Sequence, residues 1–122
     1  MQNTESEVFD LNIGGRDYTV EFNRDAIREA DGLGVLSNDN MGIFDRTALV
    51  LYAGLKMHHP AITPSKVSRK DGLLEQALNE GYELDSFVNI MDEFSKQVNA
   101  SFGGHNGKKI VSRRQTATKT AK

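Results

Sequence analysis

The sequence predicts an α+β fold, mainly α-helical: an N-terminal two-stranded β-hairpin packed on a bundle of about four helices, followed by a disordered basic C-terminal tail. Three observations lead to this prediction. Near the N-terminus, apolar and polar residues alternate on either side of a glycine pair, which is typical of a hairpin. Several separate stretches between residues 24 and 102 repeat apolar residues at helical spacing. Residues 104–122 contain six Lys and Arg and no acid.

The length of 122 residues is typical of a single domain. We expect residues 1–6 to be a flexible N-terminus, residues 7–102 to form the globular domain and residues 103–122 to be a flexible basic tail. The net charge of −2 hides a division, because residues 1–103 carry nine Lys and Arg against 17 Asp and Glu. The domain and the tail are therefore interpreted separately.

The composition limits the chemistry and the compartment. The chain has no Cys, so it needs no oxidising compartment and has no thiolate metal site. Its N-terminus lacks the basic start and apolar run of a secretory signal. The longest weakly charged stretch, residues 42–60, holds about 15 helical residues and is too short and too polar to span a bilayer. We therefore expect a cytoplasmic protein without a membrane segment.

The hairpin is predicted over residues 7–22, with Gly14 and Gly15 between its strands. A two-residue loop would pair Leu11 with Tyr18, whereas a four-residue loop would pair Leu11 with Val20. In either register one face carries all the large apolar side chains, namely Phe9, Leu11, Ile13, Tyr18, Val20 and Phe22. Because an isolated hairpin is marginal in water, this face should pack on the helices.

A short helix is predicted from Arg24 to about Ala30, with Asn23 as its N-cap. Residues 31–34 (DGLG) should end it, and residues 35–41 (VLSNDNM) are predicted to form a loop.

A central helix is predicted within residues 42–60, ending before Pro60. Two sets of apolar residues lie on adjacent sides of it: Phe44, Ala48, Leu51 and Leu55, and Ile43, Val50, Ala53 and Met57. A helix that is apolar around so much of its circumference must be covered on more than one face, so the other elements should pack around it.

The next helix should start with Thr63 as N-cap and Pro64 in its first turn, and reach Glu80. It contains Asp71 and Gly72, where a break is an alternative to one continuous helix.

The last helix is predicted over residues 84–102 and is clearly amphipathic. Leu84, Phe87, Met91, Phe94 and Val98 recur at spacings of 3, 4, 3 and 4 residues. The polar residues predicted away from this stripe are Asp85, Asn89, Asp92, Glu93, Lys96 and Gln97. The stripe either packs on the central helix or forms an open groove for a partner helix. In the second interpretation Phe87, Met91, Phe94 and Val98 are the candidate protein-binding residues, because Phe and Met adapt to varied apolar surfaces.

The basic tail contains four candidate electrostatic residues in a short segment: Lys108, Lys109, Arg113 and Arg114. Three interpretations stay open. The tail is solvated without a specific ligand, it contacts nucleic acid through phosphates, or it contacts an acidic protein surface such as this chain's own domain.

No catalytic, cofactor or metal site is predicted. Gly14 and Gly15 lack the spacing of a phosphate-binding loop, and no Ser lies in a G-x-S-x-G turn. His58 and His59 are neighbours that point about 100° apart on a helix, so they are interpreted as solvated or cationic residues at a helix C-terminus. Residues 37–48 lack the first acid and the last Glu of a calcium loop. We therefore predict a protein that is not an enzyme and that acts by binding or assembly.

Three fragments carry a resemblance to a known family: YTVEFNRDAI in the hairpin and first helix, YAGLKMHHPAITP at the end of the central helix, and LLEQALNEGYELDSF before the last helix. In this order they resemble the small tail assembly chaperones of long-tailed, siphovirus-like phages, particularly those with Gram-positive hosts. The resemblance covers about residues 7–102.

The resemblance implies a non-catalytic protein of the host cytoplasm that binds the tape measure protein, keeps it soluble and recruits tail tube subunits. It implies a protein that need not remain in the mature virion. Such families also have longer frameshifted forms, and Lys108 and Lys109 are candidates for the slippery codons. Three alternatives remain: a small nucleic-acid-binding or regulatory phage protein that uses the basic tail, a structural virion subunit, and self-association of the chain.

Overall fold

The computed structural model describes residues 7–102, which form a two-stranded antiparallel hairpin packed on helices. The predicted α+β, mainly α-helical fold class is confirmed. The elements in chain order are β1 (Val8–Ile13), β2 (Arg16–Glu21), α1 (Arg24–Gly32), α2 (Ile43–Lys56), α3 (Pro64–Ser68), α4 (Leu73–Asn79), a 3₁₀ helix (Leu84–Phe87) and α5 (Val88–Ser101). The predicted flexible segments, residues 1–6 and 103–122, lie outside the described residues.

The hairpin has the register of the two-residue loop. Leu11 pairs with Tyr18, so the shorter of the two predicted loops is confirmed. Gly14 and Gly15 have φ angles of 64° and 77°, the left-handed conformation that a type I′ turn requires at both positions. The buried side chains of the two strands are Leu11, Ile13, Tyr18 and Val20, and they form one face that packs on the helices.

α1 starts where the sequence predicts. The side chain of Asn23 accepts a hydrogen bond of 2.9 Å from the backbone N–H of Ala26. The helix runs two residues beyond the predicted end at Ala30, because the backbone N–H of Leu33 still bonds to the carbonyl of Ala30. Gly34, with a φ of 88°, then turns the chain away.

The predicted loop over residues 35–41 is present and is tied to α2 by one side chain. The Arg46 guanidinium donates hydrogen bonds to the backbone carbonyls of Val35 and Asn38. Leu36 lies between these two anchors, so the loop carries it close to the first turns of α2.

α2 is the central helix and has close to the predicted length, but it is less uniformly covered than predicted. It ends at Lys56, four residues before Pro60. Its buried residues lie on more than one face, as expected: Thr47, Ala48, Val50, Leu51, Tyr52, Ala53, Gly54 and Leu55. The expectation that Ile43 and Phe44 are covered is wrong, since they are 65% and 44% exposed. Helical periodicity distinguishes the sides of a helix, but it does not tell which turns another element covers.

Gly54 is the residue that lets α2 approach the hairpin. A Cβ atom at this position would lie 2.5 Å from Cγ1 of Val20 and 2.8 Å from Cε1 of Phe22, closer than any ordinary contact. The absence of a side chain therefore allows β2 and the residue after it to lie directly on the helix.

The predicted break between residues 64 and 80 is present and depends on another glycine. A Cβ atom on Gly72 would lie 2.6 Å from the carbonyl oxygen of Lys66 and 2.8 Å from that of Val67. α4 can therefore start against the backbone of α3 only with glycine at this position.

The last predicted helix is not one continuous α-helix, because a 3₁₀ helix precedes α5. Phe87 in the 3₁₀ helix and Phe94 in α5 are both buried, so the predicted stripe continues across this change, but the buried face of α5 is wider than the stripe. The buried residues of α5 are Ile90, Glu93, Phe94 and Gln97. The prediction that Glu93 and Gln97 lie away from the buried stripe is therefore wrong, and Leu84 is exposed.

The sequence predicts that the last helix packs on the central helix, α2. In the structure α5 contacts α2 but packs more extensively against α1. Its ring contact with the end of the hairpin joins Phe94 to Phe22, with centroids 5.5 Å apart and planes at 67°. Such edge-to-face pairs stabilise a core beyond the area that they bury.

Candidate protein-binding surface

The four predicted protein-binding residues on the last helix lie in two environments. Phe87 and Phe94 are 2% and 5% exposed, so their rings belong to the core of the isolated chain. Met91 and Val98 are half-buried at the border of the same core. Only these two side chains present part of their surface to a partner, and partner binding through the stripe stays a prediction.

The carboxylate of Glu93 is buried on the same helix, which was not predicted from the sequence. Glu93 is 4% exposed, and its Oε2 accepts hydrogen bonds of 2.9 Å from the backbone N–H of Glu7 and from Nε2 of Gln97. Its Oε1 lies 3.3 Å from Nζ of Lys96. The carboxylate is thus satisfied on both oxygens, and it fastens the start of β1 to α5. The sequence feature that could have indicated a buried Glu93 is Gln97, a possible hydrogen-bond partner four residues later in the same helix.

The outer edges of the hairpin are partly closed by side chains. On the β1 side, the Tyr82 hydroxyl accepts a hydrogen bond of 3.1 Å from the backbone N–H of Asn12. Both carboxylate oxygens of Glu80 accept from the N–H of Gly14, at 3.0 and 2.8 Å. On the β2 side, Nε2 of His59 accepts from the N–H of Thr19. Addition of a strand from another chain would have to displace these contacts.

His58 and His59 both contact strand β2. The interpretation of His59 as a solvated residue is wrong, because its ring nitrogen bonds to Thr19 and its ring lies 5.2 Å from that of Tyr18. His58 pairs with Glu21 at 2.8 Å and is partly exposed. Both rings therefore dock the end of α2 on β2.

A cleft of about 450 Å³ opens beside this contact. Tyr18, Pro60 and Ile62 provide apolar walls, and Arg16 and Lys66 lie at the rim. Within residues 7–102, neither cation is part of an ion pair.

Within residues 7–102, the most exposed apolar side chains on adjacent residues lie at the start of α2. Ile43 and Phe44 follow each other there and are 65% and 44% exposed. We call Ile43 and Phe44 the α2 apolar end. Water must order around these two side chains in the isolated chain, and a partner that covers them removes this cost. Ile43 and Phe44 were predicted to be covered, so this surface was not predicted from the sequence.

The other ionisable groups bear on a possible metal site, and one tyrosine among them has a raised pKa. Within residues 7–102, no cluster of three or more His, Asp or Glu could hold a metal ion. Burial, and then the hydrogen bond and charge of Glu29, raise the pKa of Tyr52 to about 12, and its hydroxyl donates to Glu29 at 2.8 Å. Tyr52 therefore stays protonated and links α2 to α1.

The candidate electrostatic residues of the tail, Lys108, Lys109, Arg113 and Arg114, lie outside the described residues. None of the helices within residues 7–102 has the length and apolar character needed to cross a membrane. Comparison of the chain with protein-family models, with curated proteins and with solved structures found no match.

Proposed function

We propose that this protein is a non-catalytic tail assembly chaperone of a long-tailed phage, which binds the tape measure protein, keeps it soluble and recruits tail tube subunits. It acts in the host cytoplasm and does not stay in the mature virion. The α2 apolar end is the surface that we assign to the tape measure protein.

The exposure of Ile43 and Phe44 carries this proposal. The two residues are adjacent on the first turn of a helix that is largely buried from Thr47 to Leu55, so they are held on a rigid element. A long helical partner with apolar side chains can lay one of its faces on such a surface. Because Ile43 and Phe44 are only 65% and 44% exposed, covering each would contribute about half of the roughly 1.5–3 kcal/mol that burial of a fully exposed side chain contributes.

The resemblance supports the identity of the partner. Its three fragments lie in β2 and α1, at the end of α2, and in α4 with the 3₁₀ helix, and these elements follow in the order on which the resemblance rests. The aggregation-prone, helical tape measure protein is the partner that the resemblance implies.

Co-expression with the tape measure protein encoded nearby in the same genome tests the proposal. The wild-type chain should raise the soluble fraction of the tape measure protein and co-purify with it. The double substitution Ile43→Ser and Phe44→Ser should abolish both effects and leave the circular dichroism spectrum unchanged, because the side chains are exposed. Leu84→Ser with Val88→Ser is the matched control, since these residues are 44% and 49% exposed in the 3₁₀ helix and at the start of α5.

Two results would contradict the proposal. If the wild-type chain leaves the tape measure protein insoluble, the function is wrong. If the wild-type chain holds its partner and both double variants hold it equally well, the function stands but the assigned surface is wrong.

A further inference from the structure

The outer face of the hairpin is acidic. Side chains alternate along a strand, so Asp10, Asp17 and Glu21 lie on the face opposite the core. Asp10 accepts a hydrogen bond from the Thr19 hydroxyl, Asp17 accepts one from the Asn12 amide, and Glu21 pairs with His58. Within residues 7–102, no Lys or Arg is paired with any of these three carboxylates.

No helix within residues 7–102 covers this face. Val8, Asp10, Asn12 and Asp17 are all exposed, whereas the opposite face is buried against α2. The hairpin thus presents a sheet surface whose carboxylates have no Lys or Arg partner in the described part of the chain.

The chain itself contains a segment of the opposite charge within reach. Phe102, the last described residue, lines the same cleft as Arg24. Arg24 follows Glu21 by three residues, which span at most about 11 Å. Residues 103–107 (GGHNG) contain no charged side chain and can span up to about 18 Å. Residues 108–114 (KKIVSRR) can therefore reach the end of β2.

We propose that residues 108–114 dock on the acidic outer face of this chain's own hairpin, antiparallel to β2. Arg113 lies four positions after Lys109, and Glu21 lies four positions after Asp17. In extended backbone both pairs lie about 13 Å apart and on one side of their strands. Lys109 thus meets Glu21 while Arg113 meets Asp17. Own-chain docking is favoured over nucleic acid, because the carboxylates of Asp10, Asp17 and Glu21 are within reach of the tethered segment and would repel phosphates.

A spin label tests this contact in the full-length chain. The sequence has no Cys, so Ser112→Cys gives a single attachment site. In the proposed register residue 112 points away from the hairpin, so the label does not block the contact. Paramagnetic broadening of the amide signals in an NMR spectrum should be strongest at residues 8–12 and 17–21. It should disappear at about 1 M NaCl, where charges are screened beyond about 3 Å.

Matched substitutions separate this contact from general charge attraction. Lys109→Gln with Arg113→Gln should remove the broadening, whereas Lys119→Gln with Lys122→Gln, which removes the same charge further along, should keep it. Likewise Asp17→Asn with Glu21→Gln should remove it, and Asp25→Asn with Asp31→Asn should keep it.

Three results would overturn the proposal. One is the absence of broadening at the hairpin. The same holds if all four pairs of substitutions reduce the broadening equally. Another is broadening that arises from spin-labelled chains in an equal mixture with isotope-labelled, spin-free chains, since the occupant would then be a second copy. The third is absence of broadening together with binding to a short DNA duplex that Lys109→Gln with Arg113→Gln abolishes, which would assign the segment to nucleic acid.

Discussion

Nε2 of His59 accepts a hydrogen bond of 3.1 Å from the backbone N–H of Thr19, and this bond joins the turn after α2 to the outer edge of β2. The acceptor role requires that Nε2 carry no proton. The contact is partly buried, so the N–H has little access to water as a substitute partner.

His59→Leu should therefore destabilise the protein by about 1–3 kcal/mol, because it leaves the N–H of Thr19 without its acceptor while keeping an apolar contact with Tyr18. Urea unfolding measures the loss, and amide exchange of Thr19 should become faster. His58→Leu is the neighbouring control. It removes only a partly exposed pair with Glu21 and should cost less than about 1 kcal/mol. Equal losses for the two variants would contradict the role of His59.

Tyr52 should make the stability of the fold decrease in alkali. Its pKa is raised to about 12, whereas an unfolded chain has a Tyr pKa of about 10. Below about pH 10 both states keep the proton, so the contribution is fully present. Between about pH 10 and 12 the unfolded state loses the proton first, and stability falls by up to about 2–3 kcal/mol.

Tyr52→Phe removes this titration. Unfolding free energies measured from about pH 9 to 12 should decline less steeply for the variant than for wild type, because the other groups titrate equally in both. The variant should also lose about 1 kcal/mol at neutral pH with the hydrogen bond to Glu29. Parallel pH curves would show that Tyr52 does not carry the effect.

Gly54→Ala should cost about 1–3 kcal/mol, because the new methyl group must push Val20 and Phe22 away from α2. Gly32→Ala is the control on α1. A Cβ atom there has nothing within 4 Å, so the change should be neutral or stabilise by about 0.4–1 kcal/mol. Thermal unfolding of both variants measures the two effects. Equal stabilisation by both substitutions would contradict the close contact between Gly54 and the side chains of Val20 and Phe22.

Phe94→Ala should cost about 3–5 kcal/mol, because it empties a buried site against Phe22. Met91→Ala, at the half-buried border of the same helix, should cost clearly less. Denaturant unfolding compares the two. If Phe94→Ala unfolds at the wild-type midpoint but fails to bind a partner, the stripe on α5 is a binding surface rather than core.

The parts of the fold that depend on local pattern could be predicted from the sequence. Alternation and the pair Gly14 and Gly15 limited the hairpin to two registers, and the two-residue loop matches the twist of its strands. Asn23 as N-cap and the break at Gly72 also follow from short-range chemistry. These features need no knowledge of the distant chain.

The candidate surfaces could not be predicted in the same way, because they depend on which elements meet. The buried face of α5 is wider than its apolar stripe, since it includes Glu93, whose carboxylate accepts a hydrogen bond from the distant backbone N–H of Glu7. The first turn of α2 is apolar in sequence, but Ile43 and Phe44 stay exposed because no described element packs there. Gly54 is a weak helix former by propensity, and only the position of the hairpin shows why glycine is needed.

The bond between Glu7 and Glu93 spans 86 positions of the sequence, nearly the whole folded part. During synthesis the amide of Glu7 has no counterpart until α5 has left the ribosome, and the ring of Phe94 reaches Phe22 at the same late moment. A nascent chain that stalls earlier therefore presents a hairpin without its contacts to α5 to the cell's proteases. Folding of residues 7–102 cannot be completed before α5 has been synthesised.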